Sequence, residues 1–447
     1  TLTMAAQTFG GTLMYPDCEF SAVSTDSRHI CEGDVFVALR GERFDAHNFL
    51  PDVATRASGM VVEYADRDIN LPQWVVPDTT VALGQLALLN RRRFHGPVVA
   101  ITGSSGKTTV KEMVAAILGE CGSVLATKGN LNNQIGVPLT LLSLTAKHRF
   151  AVIEMGASGP SEISYLCSLA KPDVVLVNNV LPAHVSGFGS LEGIASAKGE
   201  IYRGVCSEGT AVINLDESWA PQWRAATLAR VVSYSLVNES ADFRAKTMVS
   251  DPQGCFSFVL VTPVGEAAVQ LAVSGRHNVA NALAAAACAH AAGADLGAVA
   301  AGLNKVRAVP GRLHRQVLAS GATLIDDSYN ANPGSVKAAV DTLMTIGGKQ
   351  ILVLGDMGEL GDNEAALHGE VGRYAADRGV CHLLAVGPLS INTVREFGEG
   401  AEHLDSKEQL LERLKSLLDK DAVVLVKGSR FMAMDTVVKM ITELGEH

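Results

Sequence analysis

The sequence predicts an α/β protein divided into three units, two of them built on parallel sheets. Three observations carry this expectation. At 447 residues the chain is too long for one compact core. Its composition, 47% hydrophobic and 5% aromatic with 43 glycines, suits β-branched strands and alanine-rich helices. Short apolar runs alternate with helical segments twice along the chain, and such alternation makes a parallel sheet with helices on both faces.

Residues 1–80 form the first unit. Its strand candidates are Ala22–Val23, Val35–Leu39, Met60–Val62 and Trp74–Val76, separated by turn residues. This unit lacks the helix–strand alternation that follows. The second unit spans 81–310. Val98–Ile101, Phe150–Met155, Val174–Val177 and Ala211–Asn214 read as buried strands, with a helix over Leu191–Val205. The pattern then changes. Phe256–Thr262 and Ala267–Val273 flank Pro263-Val264-Gly265 as a hairpin, and a helix runs from about Val279 to Ala292. Val309-Pro310-Gly311 marks the next boundary. The third unit, 311–447, alternates Thr323–Ile325, Ile351–Leu354, Leu383–Val386 and Val423–Val426 with helices. A helix over Glu408–Leu418 carries Leu410, Leu411, Leu414, Leu417 and Leu418 on one side. This is a second doubly wound sheet, without the G-x-G-x-x-G of a dinucleotide site.

Lys and Arg number 37 against 47 Asp and Glu, a net charge of −10, and no basic tract is present. That balance argues against nucleic acid or an anionic membrane as a partner. The eight cysteines are scattered without a C-x-x-C pair. They are expected as buried thiols in a reducing compartment, not as a disulfide frame or zinc site. No N-terminal signal is visible, and the alanine-rich run near Ala282–Ala292 is too short to span a bilayer. A cytoplasmic monomer without membrane insertion is expected.

Thr102-Gly103-Ser104-Ser105-Gly106-Lys107-Thr108-Thr109 lies between the run Val98–Ile101 and a segment with Val110, Met113, Val114, Ile117 and Leu118 on one helical face. Strand, glycine loop, Lys-Thr and helix is the context of a phosphate-binding loop. Backbone N–H groups and a helix N-terminus meet the anion, a lysine adds positive charge, and a threonine hydroxyl holds Mg²⁺. The loop is short: G-x-x-x-x-G-K-S/T needs glycine at position 101, which is Ile101. Glu154 ends a strand on the carboxyl edge, where open α/β sheets bind ligands, and is placed to hold Mg²⁺.

Other residues are open to two readings. His184 follows Val174–Val177 on the same edge, and Lys198 sits in a predicted helix; a packing histidine and a solvated lysine also fit. Asn278 reads as an N-cap, with Asn281 one turn later on the side of His277, where a polar cluster also suits a purine. Asp326-Asp327-Ser328-Tyr329-Asn330 and Lys427-Gly428-Ser429-Arg430 end strands of the third unit. For the first, a ribose-binding loop and turn chemistry both fit; for the second, an anion site and a solvated basic turn.

Together these residues resemble the Mur ligases, the ATP-dependent ligases of peptidoglycan precursors. The short phosphate loop is similar to that family's, so Ile101 fits it. The resemblance covers essentially the whole chain. It extends through Thr25-Asp26-Ser27-Arg28 and Phe36-Val37-Ala38-Leu39-Arg40-Gly41-Glu42-Arg43-Phe44-Asp45-Ala46-His47. It continues through Gly129-Asn130-Leu131-Asn132-Asn133-Gln134-Ile135-Gly136-Val137-Pro138, the Asp326–Pro333 segment and Leu354-Gly355-Asp356-Met357-Gly358-Glu359-Leu360. It implies a small α/β domain for a UDP-sugar, a central P-loop ATPase domain with a mostly parallel sheet, and a mobile C-terminal Rossmann-like domain. The implied reaction joins D-alanyl-D-alanine to a UDP-N-acetylmuramoyl-tripeptide, with ATP as co-substrate and two Mg²⁺ ions.

By the same resemblance, Gly103, Ser104, Ser105, Gly106, Lys107, Thr108, Thr109, Asn281, Arg312 and Asp327 contact ATP. Lys107, Lys198, His184 and Arg312 are implied as catalytic. Thr108 and Glu154 are implied for one Mg²⁺, and His184 with a carbamylated Lys198 for the other. Ser27, Arg28, Asp45, His47, Asn132, Asn133, Asn330, Lys427, Ser429 and Arg430 fall on the substrate side. Ala183 stands where the family usually has Asp before the histidine. The D-N-P-K/R signature of the branch that adds meso-diaminopimelate is absent from the chain. Alternatives are another Mur-type or folylpolyglutamate-type ligase, a P-loop small-molecule kinase, or a nucleotide-dependent switch without transfer.

Overall fold

The computed structural model describes residues 1–17, 19–41, 44–182 and 185–444, and among these the strands form five sheets. The first unit contains α1 (Leu2–Phe9), β1 (Thr12–Met14), β2 (Ala22–Ser24), β3 (Asp34–Val37), β4 (Arg40–Gly41), β5 (Phe44–Asp45), α2 (Leu50–Val53), β6 (Gly59–Val62) and β7 (Gln73–Val75). Its main sheet has the order β1-β7-β6-β3-β2. The four expected strands are present, and they pair in parallel, with β1 antiparallel on the edge. The expected lack of regular helix–strand alternation holds: β1 and β2, and again β6 and β7, follow each other with no helix between, and α2 is the one α-helix among the described strands of this unit. Its helices are 8 and 4 residues long, too short to display a helical period. All residues of β3 and β6 are buried, with an apolar cluster on each face of the sheet.

α3 (Thr79–Arg92) leads into the second unit. There β8 (Val98–Thr102), α4 (Lys107–Gly119), β9 (Val124–Ala126), α5 (Gly136–Leu142), β10 (Phe150–Glu154) and α6 (Glu162–Ala170) follow. Next come β11 (Val174–Val177), α7 (Val185–Phe188), α8 (Leu191–Gly199), β12 (Thr210–Asn214), α9 (Ala220–Ala226) and β13 (Arg230–Tyr234). The six strands are parallel, in the order β13-β12-β11-β8-β10-β9. Every residue of β8 is buried. Each of its Val and Ile side chains contributes about 1.5–3 kcal/mol relative to exposure. The helix expected over Leu191–Val205 ends at Gly199 and becomes a 3₁₀ turn over Glu200–Tyr202. Two glycines, Gly199 and Gly204, weaken a longer helix there.

The hairpin is present as β15 (Cys255–Thr262) and β16 (Gly265–Ser274), joined by β14 (Arg244–Ser250) into an antiparallel sheet. α10 (Arg276–Ala291) is packed between this sheet and the parallel one, and α11 (Leu296–Lys305) lies beside it. A helix covered on both sides is apolar all round. α10 is capped by Gly275, so Asn278 stands inside its first turn and is not the N-cap.

The third unit contains β17 (His314–Val317), β18 (Thr323–Asp327), α12 (Pro333–Leu343), β19 (Lys349–Gly355), α13 (Glu364–Asp377) and β20 (His382–Val386). α14 (Ile391–Phe397), β21 (Ala401–Leu404), α15 (Lys407–Lys415), β22 (Ala422–Lys427) and α16 (Asp435–Leu444) complete it. The sheet order is β17-β18-β22-β19-β20-β21, parallel except at β17. Apolar clusters cover both of its faces, one of them containing Leu410, Leu411, Leu414 and Leu417. The expectation of buried thiols holds for Cys167 and Cys288, whereas Cys31, Cys206 and Cys381 are exposed in loops between elements. Among the described residues no helix is long and apolar enough to cross a membrane.

Candidate active site

The carboxyl ends of β8 and β10 face those of β18 and β22 across a cleft of about 580 Å³. Its walls include Ser104 to Thr109, Asn132, Asn133, Glu154, Lys198, His277 and Asn281 from the second unit. From the third come Arg312, Asp327, Tyr329, Asn330, Ser335, Ala338, Ala339 and Lys427. Gly103 adjoins the cleft without lining it.

The phosphate loop is short because its first residues are braced from outside. The Ser104 N–H donates to the Asn179 carbonyl (3.0 Å) and the Ser105 N–H to Asn179 Oδ1 (2.8 Å). Ser104 Oγ donates to the Leu181 carbonyl and accepts from its N–H. Ile101 remains inside β8, fully buried, where a loop glycine has no task. The first N–H groups of α4 have no intrahelical acceptor, the arrangement that suits an anion at a helix N-terminus. Gly106, at φ 75°, caps that helix. A Cβ there would lie 2.6 Å from Asn178 Nδ2, so only glycine fits. Lys107 Nζ donates to the Gly103 carbonyl (2.7 Å). Burial pushes its ammonium below the ordinary lysine value; Glu154 opposes this and the Arg312 charge adds to it.

Parallel register sets Glu154 beside Ile101, next to the loop. The residue is 2% exposed. Its Oε2 accepts from Thr108 Oγ1 (2.8 Å), its Oε1 from Asn132 Nδ2 (2.9 Å), and its N–H donates to Thr127 Oγ1 (2.9 Å). Both carboxylate oxygens thus have neutral donors, which leaves the negative charge for a cation. Carboxylate and hydroxyl oxygens are the donor set that suits Mg²⁺, so these residues fit the ion. Lys111, buried one helical turn beyond Lys107, donates to the Thr127 carbonyl (2.6 Å) and steadies this strand end. Sequence reasoning missed Lys111, Thr127 and Asn179. The available signal was a lysine on the apolar face of α4.

Lys198 is 1% exposed, with Nζ 5.6 Å from the Phe188 ring centroid. Burial, and then the charge of Lys107, bring its amine down to about 7. A neutral fraction is thus present near neutral pH, which carbamate formation requires. His184 and Ala183 lie outside the described residues. Burial, aided by the charge of Lys427, brings His277 down to about 4, so its imidazole is neutral at pH 7.

The linker into the third unit is knitted to that unit's sheet. The Gly311 N–H donates to Asp326 Oδ2 (2.9 Å), the Leu313 N–H to Asp327 Oδ1 (3.1 Å), and the Tyr329 N–H to the Gly311 carbonyl (3.1 Å). Between them, Arg312 stacks over the Tyr329 ring at 4.3 Å, and Arg430 approaches the same ring at 5.5 Å. β18 and β22 align Asp327 with Lys427, whose Nζ donates to Asp327 Oδ2 (2.6 Å) and the Asn330 carbonyl (2.8 Å). Burial pushes the Asp327 carboxyl up, and Lys427 pulls it back.

The remaining substrate-side residues are elsewhere. Ser429 Oγ donates to the Ala331 carbonyl and accepts from the Gly358 N–H, and Arg430 is exposed; neither lines the cleft. Ser27, Arg28, Asp45 and His47 belong to the first unit and are also outside it. Arg28 pairs with Asp26 (2.8 Å), and its guanidinium is the main cause holding that carboxyl well below the usual range. His47 Nε2 accepts from the Glu63 N–H (2.9 Å), so Nδ1 carries the proton shared with Asp45 (2.6 Å).

Comparison with known proteins completes the picture. The family model described as the Mur ligase middle domain matches residues 101–289, and that described as the Mur ligase, glutamate ligase domain matches 311–430. The chain is 46% identical over 448 residues to the UDP-N-acetylmuramoyl-tripeptide–D-alanyl-D-alanine ligase of Escherichia coli (strain K12), covering 100% of this chain and 99% of that relative. It is 43% identical over 427 residues to the Haemophilus influenzae protein of the same description, covering 93% and 92%. The crystal structure of MurF from Acinetobacter baumannii superposes with a TM-score of 0.94 at 38% identity, over 99% of this chain and 98% of that one. The MurF ligase of Thermotoga maritima, in complex with ADP, gives 0.85 at 28% identity, over 96% and 99%. A braced short phosphate loop, a cleft walled by the two matched regions and identity running the length of the chain lead to one conclusion: the protein belongs to the Mur ligase family.

Proposed function

We propose that this chain is an ATP-dependent ligase joining D-alanyl-D-alanine to UDP-N-acetylmuramoyl-tripeptide in peptidoglycan precursor synthesis. The observation that carries the reading is the 46% identity, over the whole chain, to the Escherichia coli relative so described. The cleft supplies suitable chemistry. A carboxylate is a poor electrophile, because its charge is delocalised and its oxygen leaves badly. Transfer of the ATP γ-phosphoryl group to the tripeptide carboxylate gives an acyl phosphate and ADP. The dipeptide amine attacks that carbonyl, and inorganic phosphate departs.

In this reading the N–H groups at the start of α4, with Gly103, Ser104, Ser105, Gly106, Lys107, Thr108 and Thr109, form the triphosphate cradle. Thr108 and Glu154 would hold one Mg²⁺, and His184 with Lys198 as its carbamate would hold a second. When bound, the ions neutralise the charge that builds during transfer. Lys107 and Arg312 add fixed positive charge where negative charge builds during transfer. Asn281 and Asp327 serve the nucleoside. Ser27, Arg28, Asp45 and His47 take the UDP-sugar, and Asn132, Asn133, Asn330, Lys427, Ser429 and Arg430 lie toward the peptide substrates. The working units are 1–80, 81–310 and 311–447, in a cytoplasmic monomer.

The test is phosphate release with ATP and UDP-N-acetylmuramoyl-tripeptide, varying the amine among D-alanyl-D-alanine, D-alanine and L-lysine. Release should depend on the dipeptide. Phosphate release that ignores the amine, or a stable phosphoester in place of phosphate, would overturn the reading.

A further inference from the structure

We propose that Asn178 and Tyr234, neither of which lines the cleft, are positioning residues that hold the phosphate loop and α10 in one fixed arrangement for the nucleotide. The proposal rests on the ATP-dependent reading above. Four buried side chains form a ladder. The Tyr234 hydroxyl points at the Asn178 carbonyl (3.2 Å) and at its Oδ1 (3.3 Å). Asn178 Nδ2 donates to the Ser105 carbonyl (3.0 Å) and to Asn281 Oδ1 (3.0 Å). Asn281 Nδ2 donates to Asn278 Oδ1 (2.8 Å), and Asn278 Nδ2 donates to the Ser274 carbonyl (2.7 Å).

The three amides of the ladder run between two backbone carbonyls, those of Ser105 and Ser274, which only accept. Every amide between them is therefore oriented one way, because reversing any one sets oxygen against oxygen. Two consequences follow. Asn281 uses one lone pair of its oxygen and one N–H inside the ladder, so its amide is held in a fixed orientation and presents its second N–H toward the cleft. The Ser105 carbonyl is drawn away from the anion site by Asn178 Nδ2 and by Asn179 Nδ2 (3.1 Å). A carbonyl oxygen turned toward a triphosphate would repel it. Asn178 thus joins the two walls of the nucleotide site, and it lies so close to Gly106 that a Cβ there would meet its Nδ2 at 2.6 Å.

The experiment compares Asn178→Asp, Asn178→Ala and Tyr234→Phe with the wild type. ADP binding is read by calorimetry, and KM is read for ATP, the UDP-linked peptide and the dipeptide separately. Asn178→Asp keeps the shape but sets an acceptor against the Ser105 carbonyl and Asn281 Oδ1. It should weaken ADP binding and raise KM for ATP on the order of tenfold or more, with Asn178→Ala close behind. Tyr234→Phe should cost about two- to fivefold. KM for the other two substrates should stay near wild type. A merely structural role lowers the melting point and the active fraction but leaves the Kd of folded protein unchanged. ADP affinity within twofold of wild type in the folded variants overturns the proposal, and Tyr234→Phe decides alone if the Asn178 variants do not fold. Wild-type protein that fails to bind ADP overturns the ligase reading and this one together.

Discussion

At Lys198, burial and the charge of Lys107 bring the amine from 10.5 to about 7. Lys198→Ala should lose most ligase activity, and short carboxylic acids should restore part of it by standing in for a carbamate. Full activity in the alanine variant would remove the carbamate role. The same shift sets a pH dependence of stability in CO₂-free protein. The folded amine titrates near 7 and the unfolded amine near 10.5. Below pH 7 both states are protonated, and the folded state bears the whole cost of a buried ammonium. Between these values the unfolded chain binds more protons, so stability rises with pH, and above the upper one the cost is gone. Lys198→Met should therefore stabilise the fold by about 1–3 kcal/mol at pH 6, fading toward pH 10. A gain that is equal at all pH values in denaturant titrations would contradict this.

At the scale of elements, the helix that carries Lys107 owes its position to a glycine on its neighbour. A Cβ on Gly302 of α11 would lie 2.4 Å from Ile117 Cα and 2.6 Å from Ile117 N on α4. Both contacts are backbone, so neither yields. Gly302→Ala should cost about 1–3 kcal/mol in denaturant unfolding, with unchanged stability counting against the packing. The central strands were legible in the sequence because all their residues are buried and, apart from Glu154 at a strand end, apolar or small, as in Val98–Thr102 and Phe150–Glu154. Edge strands such as Ala401–Leu404 and His314–Val317 were not, because they are short, half-buried and mixed in polarity. The candidate site divides in the same way. Lys107, Thr108 and Glu154 stand out because a loop motif and a strand end announce them. Asn178 does not, because its partners Ser105 and Asn281 are 73 and 103 residues away. Lys427 reads as a free cation in sequence, yet strand register turns it into a strut for Asp327.

For the whole molecule, α12 is the roof of the cleft. Ser335, Ala338 and Ala339 line it from that helix. A Cβ on Gly334 would lie 2.9 Å from Leu181 of the second unit. Farther along, Thr342 lies against Gly275 and Thr345 against Gly254. Glycine at these points lets the two units approach closely. Gly334→Val keeps the Asn332 cap of α12 but thrusts against Leu181. It should reduce kcat about tenfold, because closure sets the rate of many such enzymes, while the melting point changes little. A wild-type kcat in that variant would show that this contact does not govern closure.

The linker bonds at Gly311, Leu313 and Tyr329 make Arg312 a passenger of the third unit, although it sits at the junction with the second. On the proposed reading, an open molecule that has already taken up ATP still lacks the guanidinium that the γ-phosphoryl group needs. The linker is then an interlock: it withholds one part of the catalyst until the roof is down, and protects the nucleotide from idle hydrolysis while the peptide partners are still arriving.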